Sequence, residues 1–352
     1  MTLLAGRRTG TVDHGGSLER ARALFPGAPE PFVDLSTGIN PNSYPLFELP
    51  ATALSRLPEP GRARDLAAVA ATAYGAPSAA HVVPAPGTQI LLPRIASLVR
   101  SGRALVLGPT YQEHARAAAI AGHQVAETRD FGQLFDADLA VVVNPNNPDG
   151  RVVQRKDLLE LAASLRARGG LLVVDEAFMD VGPQAQSLAG DVEHSGLVVL
   201  RSFGKFYGLA GIRLGFALAH PDIAGRLEEE LGPWSVAVPS LEYGIKALSD
   251  ADWQREMRTT LAHAAHRLDQ AFARAGVIVT GGTSLFRHVD ISDAAGLFKA
   301  LGREGILVRG FTDRPTQLRC GLPGHEVEWR RLDVALGDWA QDREAAKKEA
   351  AP

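Results

Sequence analysis

The chain has 352 residues, 45% of them apolar, and a formal charge of -3. That length suffices for one large and one small domain, and the slightly acidic balance lacks the electrostatic footprint of a nucleic-acid or anionic-membrane binder. No run approaches the ~20 apolar residues of a membrane span, the opening "MTLLAGRRTG" lacks the order of a secretion signal, and the single cysteine, Cys320, excludes an intrachain disulfide, so a cytoplasmic location is expected.

In chain order, residues 1–45 are rich in turn-formers and read as an arm with one short helix near Leu18 to Phe25. From about Ala63 short apolar runs alternate with helical segments. "RALVLG" (103–108), "DLAVVVN" (138–144), "GLLVVDEA" (170–177), "GLVVLRS" (196–202) and "IRLGFALA" (212–219) read as strands. Between them "VVQRKDLLELAASLRARGG" carries apolar residues at 158, 159, 161, 162 and 165, a helical stripe ending on the C-cap signal Gly169-Gly170. Unbroken apolar strands alternating with helices predict an α/β large domain with a mainly parallel sheet covered by helices. "GPWSVAVPS" reads as a linker, followed by a helical stretch over roughly 239–275. "GVIVTGG", "SLFRHVDI", a helix near 293–303, "GILVRGF" and "QLRCGL" then predict a smaller α+β domain. The expected division is an arm over 1–45 that joins the small domain and covers the substrate site, a large domain over 46–231, a small domain over 232–342, and a charged, Ala-rich tail over 343–352.

Several punctuated stretches fall at strand ends, where open α/β sheets bind ligands. "PAPGTQILL" places Gly87, Thr88 and Gln89 at a helix start, where N–H groups and a hydroxyl suit a phosphate; an ordinary cap is the simpler reading. Tyr111 in "GPTYQEH" follows a strand, and in isolation reads as a packing tyrosine. "VVNPNNPDGR" stops a strand with two prolines and presents Asn147, more than a tight turn needs. Asp175 follows four apolar residues, a costly place for a carboxylate unless it meets a cation or caps a helix. "LRSFGKFYGLAGIRLG" holds Lys205, one of six lysines against thirty-one arginines. A lysine kept among glycines in such a chain points to amine chemistry, which arginine cannot supply.

A phosphate cradle, an aromatic face, an amide, a carboxylate and a lysine, in that order, are the functions pyridoxal 5'-phosphate asks of a protein. Ser202-x-x-Lys205 followed by Gly-Leu-Ala-Gly-x-Arg213-x-Gly resembles the fold-type-I pyridoxal-phosphate enzymes of the class I/II aminotransferase group, over nearly the whole chain. The resemblance implies that Lys205 forms the Schiff base, and that Ser202 and Arg213, with Gly87, Thr88 and Gln89, bind the cofactor phosphate. It further implies that Tyr111 stacks on the ring, Asn147 bonds the phenolic oxygen and Asp175 the ring nitrogen. No metal is implied.

Within that group, "DHGGSLERA" followed by "VDLSTGINPNSYP", Phe178 in "DEAFMD" and "PWSV" resemble the threonine-phosphate decarboxylases of cobalamin biosynthesis; the histidinol-phosphate aminotransferases are the alternative. The resemblance then implies decarboxylation of O-phospho-L-threonine to (R)-1-amino-2-propanol phosphate. His14, Gly15, Gly38, Asn147, Arg309 and Arg319 would line the substrate site. A homodimer is implied, with the active site at its interface. One departure stands out: relatives often carry a Tyr-Pro pair whose tyrosine reaches the other subunit's cofactor phosphate, and here Leu57 precedes Pro58, which leaves that contact to Arg62 or Arg64. A regulatory, non-catalytic use of the fold is the third reading, disfavoured by the intact Asp175 and Lys205.

Overall fold

The structure, a computed structural model, describes residues 15–349. The chain begins with α1 (Leu18–Leu24), β1 (Val33–Leu35), α2 (Pro60–Tyr74) and β2 (Val82–Ala85). It continues through α3 (Leu91–Ala96), β3 (Arg103–Leu107), α4 (Glu113–Ile120), β4 (Gln124–Thr128) and β5 (Leu139–Val143). Next come α5 (Arg155–Arg166), β6 (Leu171–Asp175), β7 (Leu197–Ser202), α6 (Phe203–Phe206), β8 (Gly215–Ala219), α7 (Pro221–Leu231) and α8 (Val238–Leu248). The last elements are α9 (Ala251–Arg274), β9 (Val279–Thr283), β10 (Phe286–Asp290), α10 (Ala294–Arg303), β11 (Ile306–Phe311), β12 (Arg314–Gly321) and α11 (Glu326–Glu349).

The first compact unit takes residues 43–147 and 151–255. Its seven-stranded sheet runs β2-β8-β7-β6-β5-β3-β4. β3 to β7 pair in parallel, and β8 runs antiparallel to both its neighbours. The expected mainly parallel sheet is therefore present. Every residue of β5, β6 and β8 is buried, as strands covered on both faces must be. One layer of that core sets Leu91, Leu92 and Ile95 of α3, Ala117 of α4 and Leu227 of α7 against Val106, Val141, Val173 and Val198. Two strands of this sheet escape sequence reading. β2 is four residues with a proline, and β4 is an edge strand, "QVAET", with two exposed polar residues and no apolar run.

The second unit takes 15–42, 148–150 and 256–349 of the described chain. Its five-stranded sheet runs β1-β11-β12-β10-β9, antiparallel except where β1 lies parallel to β11.

Three expected boundaries move. The stretch 232–237 is not a linker, because α8 after it is locked into the first unit. Ser240 donates to the Ile212 carbonyl, and a Cβ at Gly244 would come within 2.7 Å of both Leu214 and Leu66. The division falls inside α9, at 255/256. Trp234, inside that stretch, is 57% exposed. Residues 343–349 continue α11 rather than forming a separate tail, and 43–45 belong to the first unit.

Candidate active site

Eight of the residues singled out in the first unit sit at the carboxyl ends of strands or in the turns next to them. Gly87 adopts φ +84°, and a Cβ there would stand 2.7 Å from the Arg213 guanidinium, so only glycine lets this turn and that side chain share the space. Arg213 is itself left-handed, at φ 53°, and its Nη1 donates to the Ala210 carbonyl at 3.1 Å. Thr88 Oγ1 and Ser202 Oγ lie 3.3 Å apart. A Cβ at Gly215 would meet the Thr88 backbone nitrogen at 2.7 Å. Two hydroxyls, a guanidinium and a positive-φ glycine turn thus converge from three separate segments.

Lys205 lies on the single turn of α6, directly after β7, and is half-buried. Gly204 before it leaves no room for a side chain: a Cβ would be 2.6 Å from the Ala210 Cα. The Lys205 ammonium is 5.8 Å from the centre of the Phe178 ring, and Phe178 is 3% exposed.

Asp175 ends β6 and is buried. One oxygen accepts from the Ala177 backbone N–H at 3.0 Å; the other meets His114 Nε2 at 2.8 Å. His114 is buried too, one turn beyond Tyr111, and the two rings meet edge to face with centres 5.8 Å apart. Sequence reasoning missed His114. The signal available was its position three residues after the tyrosine.

Tyr111 Oη donates to Gln89 Oε1 at 3.2 Å, and Gln89 Nε2 donates to Glu113 at 2.7 Å. Burial first, then Glu113 and Asp175, push the Tyr111 phenol up to about 12, so it stays protonated at neutral pH. The Gln89 side chain is thus tied to Tyr111 and Glu113.

The asparagine-rich turn divides its labour. Asn144 exchanges two bonds with the backbone of Val153, at 3.1 and 2.9 Å. Asn146 accepts from Thr110 at 2.6 Å and donates to the Pro109 carbonyl at 3.0 Å. Those two hold the turn, and Asn147 follows them half-buried.

In the second unit, Arg309 on β11 and Arg319 on β12 are directly paired residues, so they share one face of the sheet. Arg319 is buried, donates to the Ser36 carbonyl at 2.7 Å, and lies 5.2 Å from the Phe286 ring centre. Burial and the neighbouring Arg309 pull it down to about 10, against the opposing pull of Asp34. Ser36 also receives the arm. Its hydroxyl donates to Asp34 at 2.6 Å and accepts from the Gly16 N–H at 2.7 Å, while a Cβ at Gly15 would clash with the Ser36 carbonyl. Gly38 lies buried two residues on. His14 lies outside the described residues.

Cys320 is a buried packing thiol, pushed up to about 12 by burial. Of the two arginines proposed near Leu57, Arg62 is committed within its own chain, forking onto Glu242 at 2.8 and 2.5 Å and reaching Asp65 at 3.0 Å. Arg64 and Leu57 are exposed. Among the described residues no cluster of three or more His, Cys, Asp or Glu could hold a metal, and no helix is long and apolar enough to cross a membrane.

Residues 66–348 match the family of class I and II aminotransferases. The chain is 43% identical over 328 residues to a threonine-phosphate decarboxylase of Pseudomonas aeruginosa, covering 92% of this chain and 97% of that one. It is 43% identical over 330 residues, with the same coverage, to a threonine-phosphate decarboxylase of a Sinorhizobium species. The histidinol-phosphate aminotransferase of Sinorhizobium meliloti, solved in complex with pyridoxal-5'-phosphate, shares the fold at TM-score 0.78 and 20% identity, covering 96% of this chain and 99% of that one.

Proposed function

The chain belongs to the class I and II aminotransferase family, and from that footing we propose that it is a pyridoxal-phosphate-dependent carboxy-lyase. Its reaction is decarboxylation of O-phospho-L-threonine to (R)-1-amino-2-propanol phosphate. The reading is supported by the two decarboxylases matched over nearly their whole length. The observation that carries the substrate is the Arg309–Arg319 pair. Two guanidiniums directly paired on adjacent strands, one of them buried, make a doubly cationic face suited to a bound anion. A phosphate dianion matches both charge and fork geometry.

The first unit's residues fit the cofactor. Gly87, Thr88, Ser202 and Arg213 offer a compact set of donors of the size and charge of a phosphate, and the absence of a side chain on Gly87 leaves room for the Arg213 guanidinium. Asp175, oriented by His114 and the Ala177 N–H, presents a fixed carboxylate for a ring nitrogen. When bound, pyridoxal phosphate supplies an aldehyde for the substrate amine and a protonated ring that withdraws electrons from the breaking bond.

The protein's own groups do the rest. Tyr111 offers a ring face and Asn147 an amide for the phenolic oxygen. Phe178 adds apolar surface and no hydroxyl, where aminotransferases usually carry a tyrosine. Arg309 and Arg319 hold the substrate phosphate, so neither fork fixes the substrate carboxylate. That carboxylate would then be free to turn out of the plane of the bound cofactor, which would favour its loss over loss of the Cα proton. Lys205 Nζ would be the amine that returns a proton to Cα once CO2 has left. The product's use in building the cobalamin nucleotide loop, a homodimeric state and a cytoplasmic location belong to the same reading. Arg64 is the candidate for the contact that Leu57 lacks.

The test is purified protein with O-phospho-L-threonine, measuring CO2 release and aminopropanol phosphate. Transfer of the amino group to a 2-oxo acid without CO2 release would instead assign the histidinol-phosphate-aminotransferase type of activity.

A further inference from the structure

Behind the strand ends of the first unit lies a buried ion cluster that the mechanism above does not use. Arg201 is 4% exposed, Glu176 0% and Asp180 3%. Arg201 Nη1 donates to Glu176 at 3.0 Å and Nη2 to Asp180 at 2.7 Å, while its guanidinium lies 4.3 Å above the Tyr74 ring. Glu176 also accepts from the Leu188 N–H at 2.7 Å and from Ser187 Oγ at 2.6 Å. Each member of the central pair adjoins a proposed cofactor residue: Glu176 follows Asp175, and Arg201 precedes Ser202. Arg201 and Ser202 are consecutive in β7, so their side chains leave opposite faces. Ser202 points to Thr88; Arg201 points the other way and grips the segment after β6.

Stability alone does not account for this arrangement. A buried ion cluster is often no better than apolar residues of the same volume, because desolvation offsets the attraction. Burial pushes the Glu176 carboxyl up. It also opposes the Arg201 charge, which Asp180 and Glu176 together sustain. What the guanidinium does supply is a rigid planar fork that fixes two partners at set angles.

We propose that Arg201, acting through Glu176 and Asp180, is a positioning residue that sets the spacing between Asp175 on β6 and Ser202 and Lys205 after β7. Those groups are assigned to the ring nitrogen, the phosphate and the aldehyde of one rigid molecule, so their spacing has to match it. The proposal rests on the cofactor reading above.

The test uses the full chain, apo and loaded with pyridoxal 5'-phosphate, in three forms. They are the unaltered protein, the combined variant Arg201→Met, Glu176→Gln, Asp180→Asn, and Arg201→Lys. The combined variant removes the charges at similar volume, and its apo melting temperature is read first to confirm that it folds. Its affinity for pyridoxal phosphate should weaken by about tenfold, by analogy with the loss when a metal ligand's supporting partner is removed. Its turnover should fall about 100-fold, as for a ~1 Å misplacement. The pH at which the visible absorbance of the lysine-bound cofactor titrates should also move. Arg201→Lys keeps the charge without the fork and should show the same changes, smaller; it decides alone if the combined variant does not fold. Unchanged cofactor affinity, absorbance titration and turnover in a folded variant overturn the proposal. Failure of the unaltered protein to take up pyridoxal phosphate overturns the cofactor reading and this proposal with it, and is distinguished because the defect precedes any substitution.

Discussion

Arg309 and Arg319 face each other, residue to residue, across the antiparallel pair β11–β12. Like charges directly opposite in a sheet are destabilising, and here one of them is buried. On the proposed reading, the substrate phosphate is the anion that this pair holds. Arg309→Ala should therefore damage use of O-phospho-L-threonine far more than any residual reaction with L-threonine. Removing one charged donor from a desolvated anion costs about 2–5 kcal/mol, roughly 30- to several-thousand-fold in kcat/KM. Steady-state kinetics on both substrates check this; equal losses would mean that Arg309 serves a group they share.

The same pair predicts stabilisation by anions. Arg319 is held near 10 by burial and by Arg309, so an anion that relieves the repulsion binds the folded chain preferentially. Inorganic phosphate added to the cofactor-loaded protein should raise Tm, by about 2.7 kcal/mol of stability at a hundredfold excess over its Kd. Arg319→Met should abolish most of that rise. Sodium chloride at equal ionic strength is the control, and the same rise with chloride would point to screening alone.

Lys205→Ala should abolish the visible absorbance of the lysine-bound cofactor and all measurable turnover, because Lys205 is the lysine placed beside the cradle. Borohydride reduction followed by peptide mapping should label Lys205 in the unaltered chain. A label on another lysine would refute the assignment.

Asp175→Asn should keep some cofactor and lose most activity, since a neutral amide does not hold the ring nitrogen protonated. His114→Leu should shift the pH at which the bound cofactor's absorbance titrates, because it removes the 2.8 Å partner of Asp175. Near-native turnover in Asp175→Asn would place the ring nitrogen elsewhere.

The segments proposed for the cofactor are legible in the sequence because they sit next to features that local sequence reports. Strand ends are marked by apolar runs, and Gly87, Gly204 and Gly215 mark close approaches. His114 and Arg201 were not legible. One is a helix residue and the other a strand residue, and only tertiary packing brings them to Asp175 and Glu176. The unit boundary was misplaced for a related reason. "GPWSVAVPS" has the composition of a linker, yet the chain after it is fixed by the Ser240 bond and the Gly244 contact, and the division falls inside a continuous helix. β4 was missed because an exposed edge strand needs no apolar run.

His288 gives the chain an acid-side weakness. It lies on β10 opposite Arg319 and is buried, with its Nδ1 2.9 Å from Thr280 Oγ1. Burial, aided by Arg314, lowers its pKa, against the opposing effects of Gln317, Asp149 and Asp290. The folded chain therefore keeps this imidazole neutral at a pH where the unfolded chain protonates it. Stability is complete above the ordinary histidine range near 6.5 and falls as pH drops from there toward the folded value, by at most about 1.4 kcal/mol per pH unit for one proton. Replacing the titrating ring should flatten that part of the profile. Denaturant unfolding of unaltered protein and His288→Gln across pH 5 to 7.5 measures it: the two curves should converge toward low pH. Parallel curves would show that His288 does not titrate differently in the two states.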